Sequence, residues 1–189
     1  MVVTLKPQDI PNLISIFRIL LVIPVIWALL EDHFGLAMIL FAIAGASDGL
    51  DGFLAKHYHW ESRLGSILDP LADKLLLVAS FASLVWLGLL PTWLLWLVLG
   101  RDIVIVFGGL AYHYLLGKFT LLPLWSSKTN TLLQILLVLG VIIQHYAGLA
   151  LTPWIDIGIW LVVASVLISG MEYVIVWGRK AWQQHQKNQ

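Results

Sequence analysis

Four aspartates lie within 26 residues of a chain that is otherwise strongly apolar. Asp48 and Asp51 are three positions apart. Asp69 and Asp73 are four apart, so each pair predicts one acidic face on a helix. A carboxylate close to hydrocarbon is costly unless it has a partner, and such residues usually serve a function. Packing the two faces together would converge four negative charges, which requires cations to neutralise them.

The side chains around these acids favour metal-assisted chemistry at phosphorus. Carboxylate oxygens suit hard cations such as Mg²⁺ or Mn²⁺, which keep positions open for water and phosphates. Four acids are enough for two such ions, which together can stabilise the attacking and leaving oxygens of a displacement. Gly49, Gly52 and Gly65 remove side-chain bulk where the backbone could approach a ligand. Ala55 keeps the same face shallow, and Lys56 offers a positive charge to a phosphate.

The composition predicts an all-α integral membrane protein. The chain has 189 residues, of which 60% are hydrophobic and 12% charged, with a mean hydropathy of +0.89. That charged fraction is about half of the usual value for a soluble domain. The net charge is zero, so there is no bulk electrostatic case for a nucleic-acid partner. Cysteine is absent, which excludes a disulfide framework and thiol chemistry.

Apolar segments of the right length predict six transmembrane helices in one domain, residues 1–189. A short N-terminal segment, residues 1–11, is expected to lie at the membrane interface. The predicted spans cover residues 12–30, 35–55, 64–87, 92–114, 131–146 and 154–177. The break between the third and fourth spans is expected at Gly88–Pro91, because proline is favoured at a helix start and disfavoured inside a helix. Residues 118–128 are predicted to form a loop.

The distribution of basic residues predicts the orientation. With both termini on one side, the loops on the opposite side contain no Lys or Arg. The basic residues on the terminal side include Lys6, Lys56, Arg63, Lys118, Arg179, Lys180 and Lys187. Because basic loops stay in the cytoplasm, both termini and the four aspartates are expected on the cytoplasmic side of the cell's inner membrane.

The aspartate segment resembles the signature of the CDP-alcohol phosphatidyltransferase family. That signature reads Asp-x2-Asp-Gly-x2-Ala-Arg-x8-Gly-x3-Asp-x3-Asp, and residues 48–73 match it except at Lys56, where the family usually has Arg. Lys keeps the charge but cannot grip a phosphate with two parallel hydrogen bonds. Residues 11–18, 101–102 and 127–134 also resemble segments of the family.

The resemblance implies a membrane enzyme with six spans that transfers a phosphatidyl group from a CDP-activated lipid to an alcohol and releases CMP. By the family pattern, Asp48, Asp51 and Asp69 would hold one divalent cation. Asp48, Asp69 and Asp73 would hold the second, and Asp73 would also accept the proton of the acceptor hydroxyl. The partners implied are CDP-diacylglycerol, the alcohol acceptor, the lipid bilayer and a second copy of the chain in a homodimer.

The resemblance also implies binding residues for the two substrates. Contacts to the CDP moiety are expected from Asn12, Gly52, Ala55, Lys56, Ser62 and Gly65. Arg101 and Lys128 are candidates for an anionic group on the acceptor, because an Arg in mid-span needs a partner. The alternative for Arg101 is a salt bridge to Asp102 or to another acid.

The sequence leaves alternatives for the acceptor and for the protein class. Residues 127–134 read Ser-Lys-x-Asn-Thr-x-x-Gln, which is similar to the CMP-forming cardiolipin synthases of the family, whose acceptor is phosphatidylglycerol. Phosphatidylglycerophosphate synthases, which use glycerol-3-phosphate, stay a close alternative. A cation transporter is a third hypothesis, but the sequence shows neither inverted repeats nor broken helices, and its four clustered acids lie at the cytoplasmic ends of their spans. An inactive homologue is disfavoured because all four aspartates are present.

Overall fold

The computed structural model describes residues 10–58, 60, 65–116 and 125–187, and the regular structure in these ranges is entirely helical. The six helices are α1 (Ile10–Leu30), α2 (Phe34–His57), α3 (Gly65–Trp86), α4 (Thr92–Leu116), α5 (Trp125–Ala147) and α6 (Thr152–Lys187). The all-α prediction is therefore confirmed. The predicted interfacial segment falls largely on residues 1–9, which lie outside the described residues.

The helix bounds follow the predicted spans, except around α5 and α6. Helix α5 begins at Trp125, so the last part of the predicted loop is helical. Hydroxyls in its first turns bond to carbonyls of the same helix, from Thr129 to Trp125 at 3.1 Å and from Thr131 to Ser127 at 3.2 Å. These bonds satisfy the hydroxyls within the helix, whereas the composition of this segment alone had indicated a loop. Helix α6 continues ten residues beyond the predicted end, to Lys187.

Five helices are long and apolar enough to cross a membrane, namely α1, α2, α4, α5 and α6. The most apolar stretch is Pro11–Leu30, with a mean hydropathy of 2.6. Helix α3 is 22 residues long but carries Asp69, Asp73 and Lys74. Many large apolar side chains on the described helices are exposed, which suits a protein surrounded by lipid. The protein is thus a multi-pass membrane protein, and the sixth span, through α3, stays a prediction.

Contacts within the chain divide it into two units. Unit 1 comprises Met1–Leu90 and Val138–Ala150, and so contains α1, α2, α3 and the end of α5. Unit 2 comprises Pro91–Leu137 and Leu151–Gln189, and contains α4, most of α5, and α6. The single domain over residues 1–189 stays a prediction.

In unit 1, α1 packs against both α2 and α3. Its packed side includes Val25, Ala28 and Leu29, all fully buried. The α1–α2 turn is tight because Asp32 adopts a left-handed conformation, with φ 58°, which Asp tolerates better than most residues. Gly88 has φ 72° in the turn after α3, so the predicted break at Gly88–Pro91 is confirmed.

In unit 2, α4 packs against α6. Leu94 and Val98 of α4 and Val162 and Val166 of α6 are buried. Each pair is four residues apart, so it lies along one face of its helix. This apolar contact holds the polar residues in the middle of α4 next to those of α6.

Candidate active site

Three of the four aspartates meet one side chain, Arg18 of α1. Its Nη1 donates a hydrogen bond to Oδ1 of Asp48 at 2.8 Å and a second one to Oδ1 of Asp73. Its Nη2 donates to Oδ2 of Asp51 at 2.6 Å. The acid pairs of α2 and α3 are therefore joined through a guanidinium on α1.

The fourth aspartate, Asp69, accepts a hydrogen bond from the hydroxyl of Ser15. The same Ser15 oxygen lies 3.0 Å from the carbonyl oxygen of Pro11. A serine hydroxyl has one proton, and an ionised carboxylate is the stronger acceptor of the two. Ser15 and Arg18 are three residues apart, so one face of α1 receives all four aspartates.

Solvent exposure divides the acids into an inner and an outer set. The side chains of Arg18 and Asp51 are 0% and 2% exposed. Those of Asp48 and Asp73 are 48% and 46% exposed, although both contact the same guanidinium. The cluster is therefore closed around Asp51 and open where Asp48 and Asp73 lie, which leaves a side from which a ligand can arrive.

The spacing argument correctly predicted that each acid pair lies on one face of its helix. The two acidic faces were expected to pack against each other, but both contact α1 instead. Arg18 was not among the predicted site residues. A signal was present, since α1 contains an arginine and no acid. A charged residue inside an apolar helix requires a partner, so the partner of Arg18 had to come from another helix.

The donor set fits divalent cations in its chemistry. Four carboxylates carry a formal charge of −4 and Arg18 carries +1, which leaves −3 on these five side chains. A Cβ atom added at Gly49 or Gly52 would meet no atom within 4 Å, so the space beside these glycines is open. Within the described ranges, however, no three acidic, histidine or cysteine side chains have the arrangement of a metal site. The carboxylates are directed at Arg18 and Ser15 instead.

The residues expected to contact CDP are placed only in part. Asn12 lies on α1 one turn before Ser15, and Gly52 follows Asp51 on α2. Gly65 is buried at the first position of α3. Ala55 and Lys56 belong to the last turns of α2, but the structure describes no more than their backbone, and Ser62 lies outside the described residues.

The first residue expected to bind the acceptor, Arg101, is buried in unit 2. Its Nη1 donates to Oδ1 of Asp102 at 2.8 Å, which is the salt bridge raised above as the alternative. Its Nη2 donates to the hydroxyl of Ser127 at 2.9 Å and to that of Ser169. The Nε atom is buried and has no hydrogen-bond partner among the described residues. The guanidinium also lies 5.9 Å from the ring centre of Tyr173.

The second residue, Lys128, is exposed at the start of α5. Its Nζ lies 5.2 Å from the ring centre of Trp125, a cation–π distance. Lys128 also lines a depression of about 340 Å³ on α5, together with Ser127 and Thr131. Arg101 lines a larger, mainly apolar groove of about 520 Å³ along α4 and α6.

Two amides of the segment 127–134 are buried without full hydrogen bonding. Asn130 accepts a hydrogen bond from the hydroxyl of Ser165 at 2.8 Å, while its Nδ2 has no partner in the described part of the chain. Neither amide atom of Gln134 has a partner there. Buried polar atoms of this kind usually bind water or a ligand.

Comparison with known proteins covers both units. The sequence model of the CDP-alcohol phosphatidyltransferase family matches residues 8–177. A CMP-forming cardiolipin synthase of Rattus norvegicus is 32% identical in an alignment of 194 positions. The alignment covers 94% of this chain and 64% of the relative. The chain thus spans less than two thirds of that protein's length.

Bacterial relatives with a different acceptor in their names are similar to the same degree. A CDP-diacylglycerol–glycerol-3-phosphate 3-phosphatidyltransferase of Bacillus subtilis is 31% identical, over 85% of this chain and 86% of the relative. A protein of the same name from Aquifex aeolicus is 34% identical, over 71% of this chain and 75% of the relative. Overall similarity therefore does not separate the two acceptor types.

Proposed function

Because this chain belongs to the CDP-alcohol phosphatidyltransferase family, we propose that it transfers a phosphatidyl group from CDP-diacylglycerol to a glycerol-containing acceptor and releases CMP. One observation carries the proposal. The four aspartates of the signature come from two helices and converge on Ser15 and Arg18 of a third. A group of acids assembled in this way can bind the cations that a displacement at phosphorus needs.

Asp48, Asp51 and Asp69 would hold one divalent cation, and Asp48, Asp69 and Asp73 the second, either Mg²⁺ or Mn²⁺. When bound, these ions neutralise the charge that develops on the phosphate oxygens. The half-exposed side chains of Asp48 and Asp73 support an approach from the open side of the cluster. Helix α1 holds both acid pairs in place, which is what a preorganised site requires.

Asp73 would be the catalytic base. The acceptor hydroxyl attacks the phosphorus that carries diacylglycerol, a new P–O bond forms, and the P–O bond to CMP breaks. The hydroxyl proton passes to Asp73, and CMP leaves with the bonding electrons. The half-exposed side chain of Asp73 is accessible to the acceptor hydroxyl whose proton it would take.

The CDP moiety would lie along the faces of α1 and α2 that carry the acids. Asn12 and Gly52 are the described residues next to them, and the open space beside Gly52 supports a close approach of the nucleotide. Lys56 and Ser62 would contact its phosphates, with Ala55 and Gly65 limiting side-chain bulk. These assignments rest on the family pattern.

We propose phosphatidylglycerol as the acceptor, which makes the enzyme similar to a cardiolipin synthase. The sequence of residues 127–134, Ser-Lys-x-Asn-Thr-x-x-Gln, supports this choice because it is similar to that of the CMP-forming cardiolipin synthases. Lys128 of this segment is exposed, and its neighbour Ser127 contacts Arg101. Both basic side chains suit the phosphate of an acceptor headgroup. Glycerol-3-phosphate is the second candidate, favoured by the match to 86% of the Bacillus subtilis relative.

One assay separates these possibilities. Detergent-solubilised protein receives CDP-diacylglycerol and Mg²⁺ with either phosphatidylglycerol or glycerol-3-phosphate, and both CMP and the lipid product are measured. Cardiolipin and CMP in the first mixture alone support the proposal. Phosphatidylglycerophosphate in the second mixture alone would identify glycerol-3-phosphate as the acceptor. If neither mixture releases CMP, the enzyme proposal is contradicted, and the cation transporter is the remaining hypothesis.

We also propose the topology inferred above, with six spans, α3 included, in the inner membrane and with the active site facing the cytoplasm. The chain has no cysteine, so single introduced cysteines can be labelled from outside. In intact cells a membrane-impermeant thiol reagent should label Glu31→Cys, in the α1–α2 turn, and should spare Tyr58→Cys, at the end of α2. Labelling of Tyr58→Cys but not of Glu31→Cys would show that the orientation is the reverse of the one proposed.

A homodimer is also proposed from the family pattern, and light scattering in detergent tests it.

A further inference from the structure

The guanidinium of Arg18 contacts the acids through which a cation must be bound. Its Nη1 serves Asp48 and Asp73, the two half-exposed carboxylates. Its Nη2 serves Asp51, which is buried. An ion arriving from the open side therefore meets first the two carboxylates that share a single nitrogen of Arg18.

We propose that Arg18 is the counter-ion that holds the metal-free site together, and that divalent cations bind by taking Asp48 and Asp73 from it. This inference rests on the proposed function, since it assumes a divalent-cation site at the four aspartates. Arg18 contacts acids and not reacting atoms, so it is a positioning residue.

Charge balance supports an exchange of this kind. Arg18 and the four aspartates carry −3 together, which is a repulsive arrangement in a partly buried site. Two divalent cations would bring the same set from −3 to +1, so the cations would take over the neutralisation that Arg18 provides within these five side chains in their absence. The surplus positive charge would then suit the diphosphate of a CDP-activated lipid.

Burial explains why Arg18 stays close when its outer contacts are exchanged. The side chain is fully buried, and its Nε has no hydrogen-bond partner among the described residues. The Nη2 contact to Asp51 lies on the closed side of the cluster and can persist. A guanidinium that keeps one ion pair and releases two needs only a small movement, so the exchange does not require α1 to leave α2 and α3.

The exchange predicts opposite effects of Arg18 on two measurable properties. Arg18 stabilises the metal-free protein, because without it the acids repel each other. It also weakens cation binding, because its positive charge competes for the same oxygens. A residue with a purely structural role would stabilise the protein equally with and without metal.

The experiment compares full-length Arg18→Met with Arg101→Met, a matched loss of a buried arginine in unit 2. Mn²⁺ affinity is measured from the electron paramagnetic resonance of the free ion, and the thermal midpoint is measured in EDTA and in saturating Mn²⁺. Arg18→Met should bind Mn²⁺ at least about tenfold more tightly, and Mn²⁺ should restore most of its lost midpoint. Arg101→Met should keep the wild-type affinity and lose the same amount in both conditions.

Arg18→Lys keeps the inference testable if Arg18→Met does not fold in EDTA. An ammonium cannot span three carboxylates as a guanidinium does, so the variant should bind Mn²⁺ more tightly than wild type by a few-fold. Unchanged or weaker affinity in the Arg18 variants, or an equal midpoint loss with and without Mn²⁺, would overturn the competition while leaving the cation site standing. A wild-type protein that binds no Mn²⁺ would overturn both.

Discussion

Arg18 in unit 1 and Arg101 in unit 2 are both buried arginines in apolar helices, but their partners differ. Arg18 meets carboxylates that are 30, 33 and 55 residues away. Arg101 forms its ion pair with its neighbour Asp102 and gives its remaining described hydrogen bonds to the hydroxyls of Ser127 and Ser169.

This difference determines where added charge can be accommodated. The pair of Arg101 and Asp102 is neutral by itself, so it has no excess negative charge that would attract a metal cation. The cluster around Arg18 keeps a formal −3 and has an open side, so it attracts cations. We infer that the metal chemistry belongs to unit 1, whereas Arg101 recognises the acceptor. Its Nε, which has no hydrogen-bond partner among the described residues, would donate a hydrogen bond to the acceptor.

Asp69→Asn should produce the largest effect and test this division directly. Asp69 contacts Ser15 rather than Arg18, so its charge can be removed with little disturbance of the ion pairs. We expect kcat to fall by at least about 10³-fold, because a bound metal contributes several kcal/mol of charge stabilisation. The thermal midpoint in EDTA should not fall.

The matched control is Asp156→Asn, an exposed acid on α6, which should keep wild-type activity. Near-normal turnover of Asp69→Asn would remove the two-metal mechanism and with it the chemical difference between the two units.

Arg101→Met should have the next largest effect, on the acceptor. If Arg101 recognises an anionic headgroup, KM for phosphatidylglycerol should rise roughly tenfold to a hundredfold, since a hydrogen bond to a charged group contributes about 1.5–3 kcal/mol. The KM for CDP-diacylglycerol should not change. Steady-state kinetics with each substrate varied in turn measures both KM values. A rise in the KM for CDP-diacylglycerol alone would show that Arg101 binds the CDP-lipid and not the acceptor.

Ser169→Ala should have a smaller effect, because it removes one neutral partner of Arg101 and leaves Ser127 and Asp102. We expect a loss of about 1 kcal/mol in the free energy of unfolding, measured by denaturant titration in detergent. Ser83→Ala is the matched control, since the Ser83 hydroxyl bonds only locally, to the Ala79 carbonyl of its own helix at 2.9 Å. Equal losses in the two variants would mean that the Ser169 contact adds nothing to unit 2.

Lys56→Arg should have the smallest effect of the set. Arginine keeps the charge and adds a bidentate geometry for phosphate, so KM for CDP-diacylglycerol should stay equal or fall by up to about threefold. Lys56→Gln, which removes the charge, should raise the same KM. A severe loss in Lys56→Arg would show that the pocket is built around Lys, and that the family pattern does not apply at this position.

Much of the architecture could be predicted from local pattern. The helices, the break at Gly88–Pro91 and the one-sided acid pairs follow from apolar run lengths, from proline and glycine preferences, and from the helical repeat. These features depend on residues close together in the chain. The first turns of α5, residues 125–130, were missed because their Ser, Thr and Asn residues have loop-like composition. In the helix, the hydroxyls of Thr129 and Thr131 bond to carbonyls of the preceding turn.

The amino-acid sequence by itself determined an apolar helical protein, the positions of its acids, and the family to which it belongs. Only the tertiary structure decided that α1 contacts both acid pairs, that Arg18 forms ion pairs with three of the acids, and that Arg101 is paired with Asp102. The physical reason is that helix periodicity sets which side chains share a face, whereas the partner of that face depends on how distant helices pack. An ion pair between residues 55 positions apart is a property of that packing.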